Sequence, residues 1–311
     1  MAIDRIVTLT LNPSVDIASD ADAVRPVRKV RTRDETFDPG GGGVNVSRVL
    51  RELGADTLAV VAAGGVSGRL LEELLGEAGL PHESIPTAGR TRVSYTVHDL
   101  GAKQEYRFVP EGPVLAAHEW RAALDALSRS EGAWIVASGS LPRGVPEDFF
   151  AQAATMASRR GRRFVLDTSG EPLRAALGKG LALIKPSRGE FEALMGEKLA
   201  TPESQDEAAL RLVRNGAAEL VAVTLGHEGA ILAEPDGGVL RLPALDVPAL
   251  GAVGAGDSFL AAMVCALSRG QSPREAFALG MAAGAAAVMR PGTAHPRAAD
   301  VEALRRRIGP I

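Results

Sequence analysis

Val253-Gly254-Ala255-Gly256-Asp257-Ser258 runs directly into the apolar stretch Phe259 to Leu267, and this junction decides how the rest of the chain is read. Glycines ahead of a helical run leave backbone amides unhindered at a helix N-terminus, a geometry that suits an anion. Asp257 falls within one turn of those amides, where a carboxylate can take a proton from an incoming hydroxyl while the amides hold a phosphate. The helix end favours the ionised carboxylate, so Asp257 is expected to be a weak base. That suffices if the proton leaves late in a loose phosphoryl-transfer transition state. The competing reading is that Asp257 simply caps the helix.

Upstream of this junction, short β-branched runs alternate with longer amphipathic stretches, the pattern of strands feeding crossover helices in a parallel sheet. Arg5 to Leu11, Thr57 to Ala62, Trp134 to Ser138, Arg163 to Asp167, Ala182 to Lys185 and Leu220 to Thr224 read as strands. Val44 to Leu53, closed by Gly54, and Ser67 to Ala78 read as helices, as do Ala255 to Leu267, Pro273 to Met289 and Ala298 to Ile308. Two stretches break the alternation. Val15 to Phe37 and Thr91 to Val109 have period-2 character, with Val93, Tyr95 and Val97 answered across a Gly101 turn by Tyr106 and Phe108. Antiparallel strands inserted between βα units do not easily join a buried parallel sheet, so they are placed outside it as a lid.

A second glycine run, Pro39-Gly40-Gly41-Gly42-Gly43-Val44-Asn45, also opens a helix and is too dense for an ordinary turn. It predicts close approach of a ligand to backbone, and Asn45 on the first helical turn can bond a sugar hydroxyl. Neither run carries the Lys followed by Ser or Thr of a Walker A loop. A third, Ala63-Gly64-Gly65-Val66-Ser67-Gly68, raises a dinucleotide-dependent oxidoreductase, with Glu83 near the ribose-binding spacing; without a complete G-x-G-x-x-G it reads as a tight βα turn.

Composition narrows the classes further. The chain has 311 residues, 46% of them hydrophobic, enough for a large core, and a formal charge of -3. That charge supplies no field for nucleic acid or an anionic membrane, so phosphate recognition must come from local clusters. The single Cys265 lies in an apolar stretch and reads as an inert buried thiol. The five histidines lack metal-site spacing and read as surface or loop residues. With no signal-like start and no run of the ~20 apolar residues a bilayer requires, a cytoplasmic location is expected.

Taken in order, the motifs resemble the PfkB carbohydrate kinase family, from the first strand to about Pro291. They are N-P-x-x-D (Asn12, Pro13, Asp16), the glycine run with Asn45, Thr91-Arg92, S-G-S-L-P (Ser138 to Pro142), D-T-S-G-E (Asp167 to Glu171), K-P-x-x-x-E (Lys185, Pro186, Glu190), T-L-G-x-x-G (Thr224 to Gly229) and V-G-A-G-D. The resemblance implies a ribokinase-like three-layer α/β/α sandwich with a mostly parallel central sheet and a small β-sheet lid. It is expected as one domain over residues 1–311 with lid strands inserted at about 13–38 and 90–110. By resemblance, Asp257 is the catalytic base and Gly254, Ala255 and Gly256 form the anion hole. Asp16, Gly41, Gly42 and Asn45 grip sugar hydroxyls. Arg92, Arg107 and Ser140 face the substrate's existing phosphate, with Lys29 reaching in from a partner subunit's lid. Lys185, Ser187 and Glu190 serve ATP phosphates and Mg²⁺, Glu190 as metal ligand. Thr224, Gly226, Gly229, Met281, Gly284 and Ala285 border the nucleotide.

The residues separate free sugars from sugar phosphates at Arg92 and Arg107. These flank the hairpin and can project toward one dianion, which a guanidinium fork suits; the plainer reading is two solvated surface arginines. The four-glycine run and Glu105-Tyr106-Arg107-Phe108-Val109 resemble the minor bacterial 6-phosphofructokinase branch, implying phosphorylation of fructose 6-phosphate at its 1-hydroxyl. 1-Phosphofructokinases and tagatose-6-phosphate kinases typically carry a lysine within that run; these remain the alternatives, and a non-catalytic nucleotide sensor the alternative of another class. Three departures from the family pattern stand out: Ser187 replaces an Asn, Gly251 and Ala252 replace a more polar pair, and Arg290 stands near the expected monovalent-cation loop, so K⁺ activation stays open. A homodimer is expected, because Val93, Tyr95 and Phe108 on the lid need covering.

Overall fold

The computed structural model describes residues 5–251, 253–290 and 295–311. Thirteen strands are found among them: β1 (Ile6–Thr10), β2 (Ser14–Ala21), β3 (Arg33–Gly40), β4 (Thr57–Ala63), β5 (His82–Pro86), β6 (Arg92–Asp99), β7 (Gln104–Phe108), β8 (Trp134–Ser138), β9 (Arg163–Asp167), β10 (Leu181–Ile184), β11 (Leu220–Thr224), β12 (Ala230–Ala233) and β13 (Val239–Leu242). Nine form one sheet in the order β13-β12-β11-β10-β9-β8-β1-β4-β5, parallel except at β12 and β13. The other four form a separate sheet, β3-β2-β6-β7.

Burial on both faces explains the β-branched strands. Along β1, Val7 and Leu9 enter one core with Phe149, Phe164 and Phe191, while Ile6 packs on the opposite face with Trp134, Phe259 and Phe277. Helices thus cover both sides: Ala117–Arg129, Phe149–Arg159 and Pro202–Arg214 on the first, Gly42–Glu52, Ala255–Ser268 and Pro273–Val288 on the second. The ribokinase-like α/β sandwich with a β lid is therefore the observed architecture. Element ends differ by a residue or two from the sequence reading, two helices opening on Gly42 rather than Val44 and on Gly65 rather than Ser67.

The lid corrects one expectation. Its outer pairs are antiparallel, with Tyr95 opposite Phe108 and Val97 opposite Tyr106, but β2 and β6 at its centre run parallel, from Ser14 opposite Arg92 to Ala21 opposite Asp99. Alternation then sorts the side chains. Asp16 lies beside Ser94, and Ala18, Thr96 and Arg107 form a row on the face toward the large sheet's edge. Phe37, Ile17, Tyr95 and Phe108 form a row on the other face, where Phe37 and Phe108 are exposed. Two histidines read as loop residues, His82 and His98, lie in strands; His98 sits between Asp20 and Glu105, 3.0 and 3.5 Å away.

Candidate active site

Gly254 is the N-cap of the helix Ala255–Ser268 and takes φ 72°, a left-handed backbone that a glycine adopts without strain. Asp257 follows in the first turn, but its side chain does not cap the helix. Its Oδ2 accepts from Asn45 Nδ2 at 2.9 Å and its Oδ1 from Ser138 Oγ at 3.3 Å, contacts that aim it across the strand ends. Asn45 stands on the first turn of the helix Gly42–Glu52, so two helix N-termini converge on this carboxylate.

The expectation of a weak base is reversed. Burial, and next the negative charge of Asp167, push the Asp257 carboxyl up to about 6, against the bonds from Asn45 and Ser138 and the charge of Lys185. The helix end acts the other way and is outweighed, because a desolvated carboxylate loses far more hydration than one helix terminus returns. Lys185 Nζ lies 3.3 Å from Asp167 Oδ1. Burial alone would lower this lysine, but Asp167 and Asp257 together hold its ammonium above the ordinary value. Two carboxylates and one ammonium leave a net negative cluster, poised to accept one proton.

The glycine run is a contact surface. A Cβ on Gly40 would sit 2.1 Å from Asp16 Oδ2, on Gly42 2.2 Å from Ser138 Oγ, and on Gly41, at φ +110°, 2.7 Å from Thr10 Cγ2. Asp16 also accepts from Ser14 Oγ at 2.6 Å. A cleft of about 320 Å³ brings together Asp16, Gly41, Asn45, Arg92, Arg107 and Asp257, joining lid, cradle and base in one volume. Arg92 reaches it while donating from Nη2 to Asn12 O at 2.9 Å and from Nη1 to Pro110 O at 3.1 Å, and burial lowers its guanidinium below the usual value. Arg107 is half-exposed and paired 3.6 Å from Glu105. Ser140 lies beside this group, accepting from Asn12 Nδ2 at 3.2 Å. Lys29 lies on the exposed connection between β2 and β3 and does not line the cleft.

On the other side of Asp257, Lys185 lies behind Gly256, where a Cβ would come 3.2 Å from Nζ. Ser187 caps the helix Arg188–Met195: its amide and hydroxyl both donate to Glu190 Oε2 at 2.8 Å. This capping box gives the departure from Asn a local explanation. Thr224 ends β11 and bridges to Ser187. Gly226 and Gly229 flank the turn that follows, and Gly229 at φ +104° passes so close to β13 that a Cβ would meet Leu242 O at 2.0 Å. On the helix Pro273–Val288, Gly284 lies against Ala255 O and Phe259, and Met281 is buried with Phe259 and Phe277, whereas Ala285 packs toward Val301 and Leu304. Gly251 donates its amide to Val288 O at 3.2 Å; Ala252 and Pro291 lie outside the described residues.

No group of three metal-binding side chains occurs among the described residues. One carboxylate beside a phosphate site nonetheless fits Mg²⁺, which takes few protein ligands and completes its shell with water and phosphate oxygens. Glu190 offers one carboxylate, its charge felt by Asp167 and Lys185 and its Oε2 committed to Ser187.

Sequence reading gave no role to Ser138, Asp167, Asn12 or Ser14, although all four lie in or beside quoted motifs. Only the fold shows that Ser138 donates to Asp257, Ser14 to Asp16 and Asn12 to Ser140.

A buried carboxylate facing a cleft that two arginines line, beside glycine-rich helix starts, is the arrangement a phosphotransferase acting on a hydroxylated anion requires. The pattern of the pfkB family carbohydrate kinases matches residues 9–300, and the chain belongs to that family. It is 43% identical over 300 residues to the ATP-dependent 6-phosphofructokinase isozyme 2 of Mycobacterium tuberculosis, covering 96% of this chain and 88% of that protein. A 1-phosphofructokinase of Xanthomonas campestris is 33% identical over 270 residues, 84% of this chain and 83% of its own. The crystal structure of Escherichia coli phosphofructokinase-2 in complex with fructose-6-phosphate superposes with a TM-score of 0.93 at 34% identity, over 99% of this chain and 100% of that one.

Proposed function

We propose that this chain transfers the γ-phosphoryl group of ATP to the 1-hydroxyl of fructose 6-phosphate, giving ADP and fructose 1,6-bisphosphate. One observation carries the reading: Arg92 and Arg107 on the lid share a single cleft with Asp257, so a phosphate at one end of a ketohexose leaves its other end at the base. Asp16 and Gly41 line the same cleft and would hold hydroxyls together with Gly42, and Asn45 fixes the base. Asp257 takes the proton of the attacking hydroxyl, the amides of Gly254 to Gly256 receive the charge of the transferring group, and Lys185 offsets the leaving phosphates. Bound Mg²⁺ would supply charge neutralisation on the ATP phosphates, with Glu190 as its protein ligand. Thr224, Gly226, Gly229, Met281 and Gly284 would border the nucleotide.

Two copies are proposed to pair through the lid, covering the row of Phe37, Tyr95 and Phe108, with Lys29 of each copy entering the other's cleft. A cytoplasmic location is proposed with it; among the described residues no helix is long and apolar enough to cross a membrane. The test is ATP consumption with fructose 6-phosphate, fructose 1-phosphate, tagatose 6-phosphate, free hexoses and nucleosides, with K⁺ or Na⁺ as the counterion. Preference for fructose 1-phosphate or tagatose 6-phosphate would move the chain to a sister activity, and no consumption with any would make it a nucleotide sensor.

A further inference from the structure

Ser138 closes strand β8, is 4% exposed, and has its hydroxyl between two carboxylates. Its Oγ lies 3.3 Å from Asp257 Oδ1 and 3.4 Å from Asp167 Oδ2. A hydroxyl carries one proton and two lone pairs, so it donates to one of these oxygens at a time and turns a lone pair toward the other. Asn45 already donates to Asp257 Oδ2, which leaves Oδ1, on the Ser138 side, as the oxygen that takes up a proton. Asp167 is pinned from its far side by Lys185, 3.3 Å from Oδ1. The glycine cradle gives way to this serine, since a Cβ on Gly42 would sit 2.2 Å from its Oγ.

We propose that Ser138 is a positioning residue that works as a rotor: it donates to Asp257 while that carboxylate is charged and turns to Asp167 once Oδ1 has taken the acceptor's proton. The inference rests on the phosphoryl transfer proposed above. In that step the proton of the sugar hydroxyl passes to Asp257 Oδ1 as the new phosphorus–oxygen bond forms and the bond to the departing ADP oxygen breaks. The serine proton never leaves Oγ; only its direction changes. The lone pair it uncovers accepts the hydrogen bond from the newly formed carboxylic acid. Oδ1 is therefore partnered in both charge states, and neither state leaves a buried polar atom unmatched.

The test compares wild type, Ser138→Ala and Ser138→Cys by kcat and KM over about pH 5 to 9, with fructose 6-phosphate and ATP. Cysteine fills nearly the same space with a weak donor, so it decides the matter should the alanine variant fold poorly. Both are expected to lose at least ~10-fold in kcat, with both KM values within about 3-fold of wild type. The acid limb of kcat should move to higher pH, because the charged form of Asp257 has lost a donor. A folded variant that keeps kcat within about 2-fold, or loses it with the acid limb unmoved, would assign Ser138 to packing and overturn the rotor. Wild-type inactivity on every sugar phosphate would instead strike at the phosphoryl transfer itself.

Discussion

Asn45 and Asp257, 212 residues apart in the chain, meet at 2.9 Å, the amide of one donating to the carboxylate of the other. The bond joins the first turns of two helices that start from glycine-rich loops, so the glycine cradle and the backbone amides of Gly254 to Gly256 are held in fixed relation. Orientation of this kind is where much of a phosphotransferase's rate arises, because the chemistry asks little of the protein beyond placement and charge.

Replacing Asp257 by Asn keeps an oxygen for the Asn45 amide but removes the proton acceptor. Turnover should drop at least ~100-fold. ATP affinity, measured by calorimetric titration, should stay close to wild type. Near-normal turnover would mean that another group accepts the proton.

Activity should fall on the acid side as the base protonates. The Asp257 carboxyl is raised to about 6, and it accepts a proton only when ionised, so kcat should decline with falling pH near that value. The substrate's own phosphate titrates at about 6 as well, but bound between arginines it stays dianionic, so kcat under saturation isolates the protein group. A profile flat from about pH 7 down to about pH 4 would contradict the burial of this residue.

The same carboxyl makes a stability prediction of definite sign. Its folded value, about 6, lies above the 3.8 of a free carboxyl. Between those values the folded chain binds a proton that the unfolded chain has released. Stability from this group is therefore present at low pH and lost as pH rises through that window. Asp257→Asn should accordingly melt higher than wild type at about pH 8, with the gap narrowing toward about pH 5. A variant that melts lower at the alkaline pH would refute the sign.

Arg92 has a narrower job. Arg92→Ala should weaken fructose 6-phosphate by roughly 1.5 to 3 kcal/mol, the range for a hydrogen bond to a charged group, while sparing ATP. Arg92→Lys should recover only part of the loss, since one ammonium cannot reproduce the fork that also reaches Asn12 and Pro110. Unchanged KM for the sugar phosphate would reassign Arg92 to holding the lid's base.

Gly42 tests the cradle itself. A methyl there meets Ser138 Oγ at 2.2 Å and the Ser138 carbonyl carbon at 2.9 Å, so Gly42→Ala should destabilise by about 1 to 3 kcal/mol. A melting temperature equal to wild type would show that the strand end yields more easily than a packed interior does.

The alternation of Tyr95 and Val97 against Phe108 and Tyr106 is visible in the sequence because hairpin partners are close neighbours with a period of two. The glycine runs and Asp257 are visible because helix starts and close backbone approach demand particular residues. The parallel contact of β2 with β6 is not, since nothing local marks a partner 78 residues on, from Ser14 to Arg92. Ser138 and Asp167 look like ordinary strand ends, and their meeting depends on the side-by-side register of β8 and β9. The basicity of Asp257 is hidden for a related reason: the helix start is written in the local sequence, whereas burial is a property of everything that packs around it.

The parallel junction of β2 and β6 also bears on engineering. The lid is assembled from two separate inserts joined along eight facing residue pairs. A chimaera meant to borrow another kinase's specificity by grafting one insert would therefore set foreign side chains against a native neighbour along that whole seam. Exchange of both inserts as a unit is the smallest graft that respects how this protein is stitched.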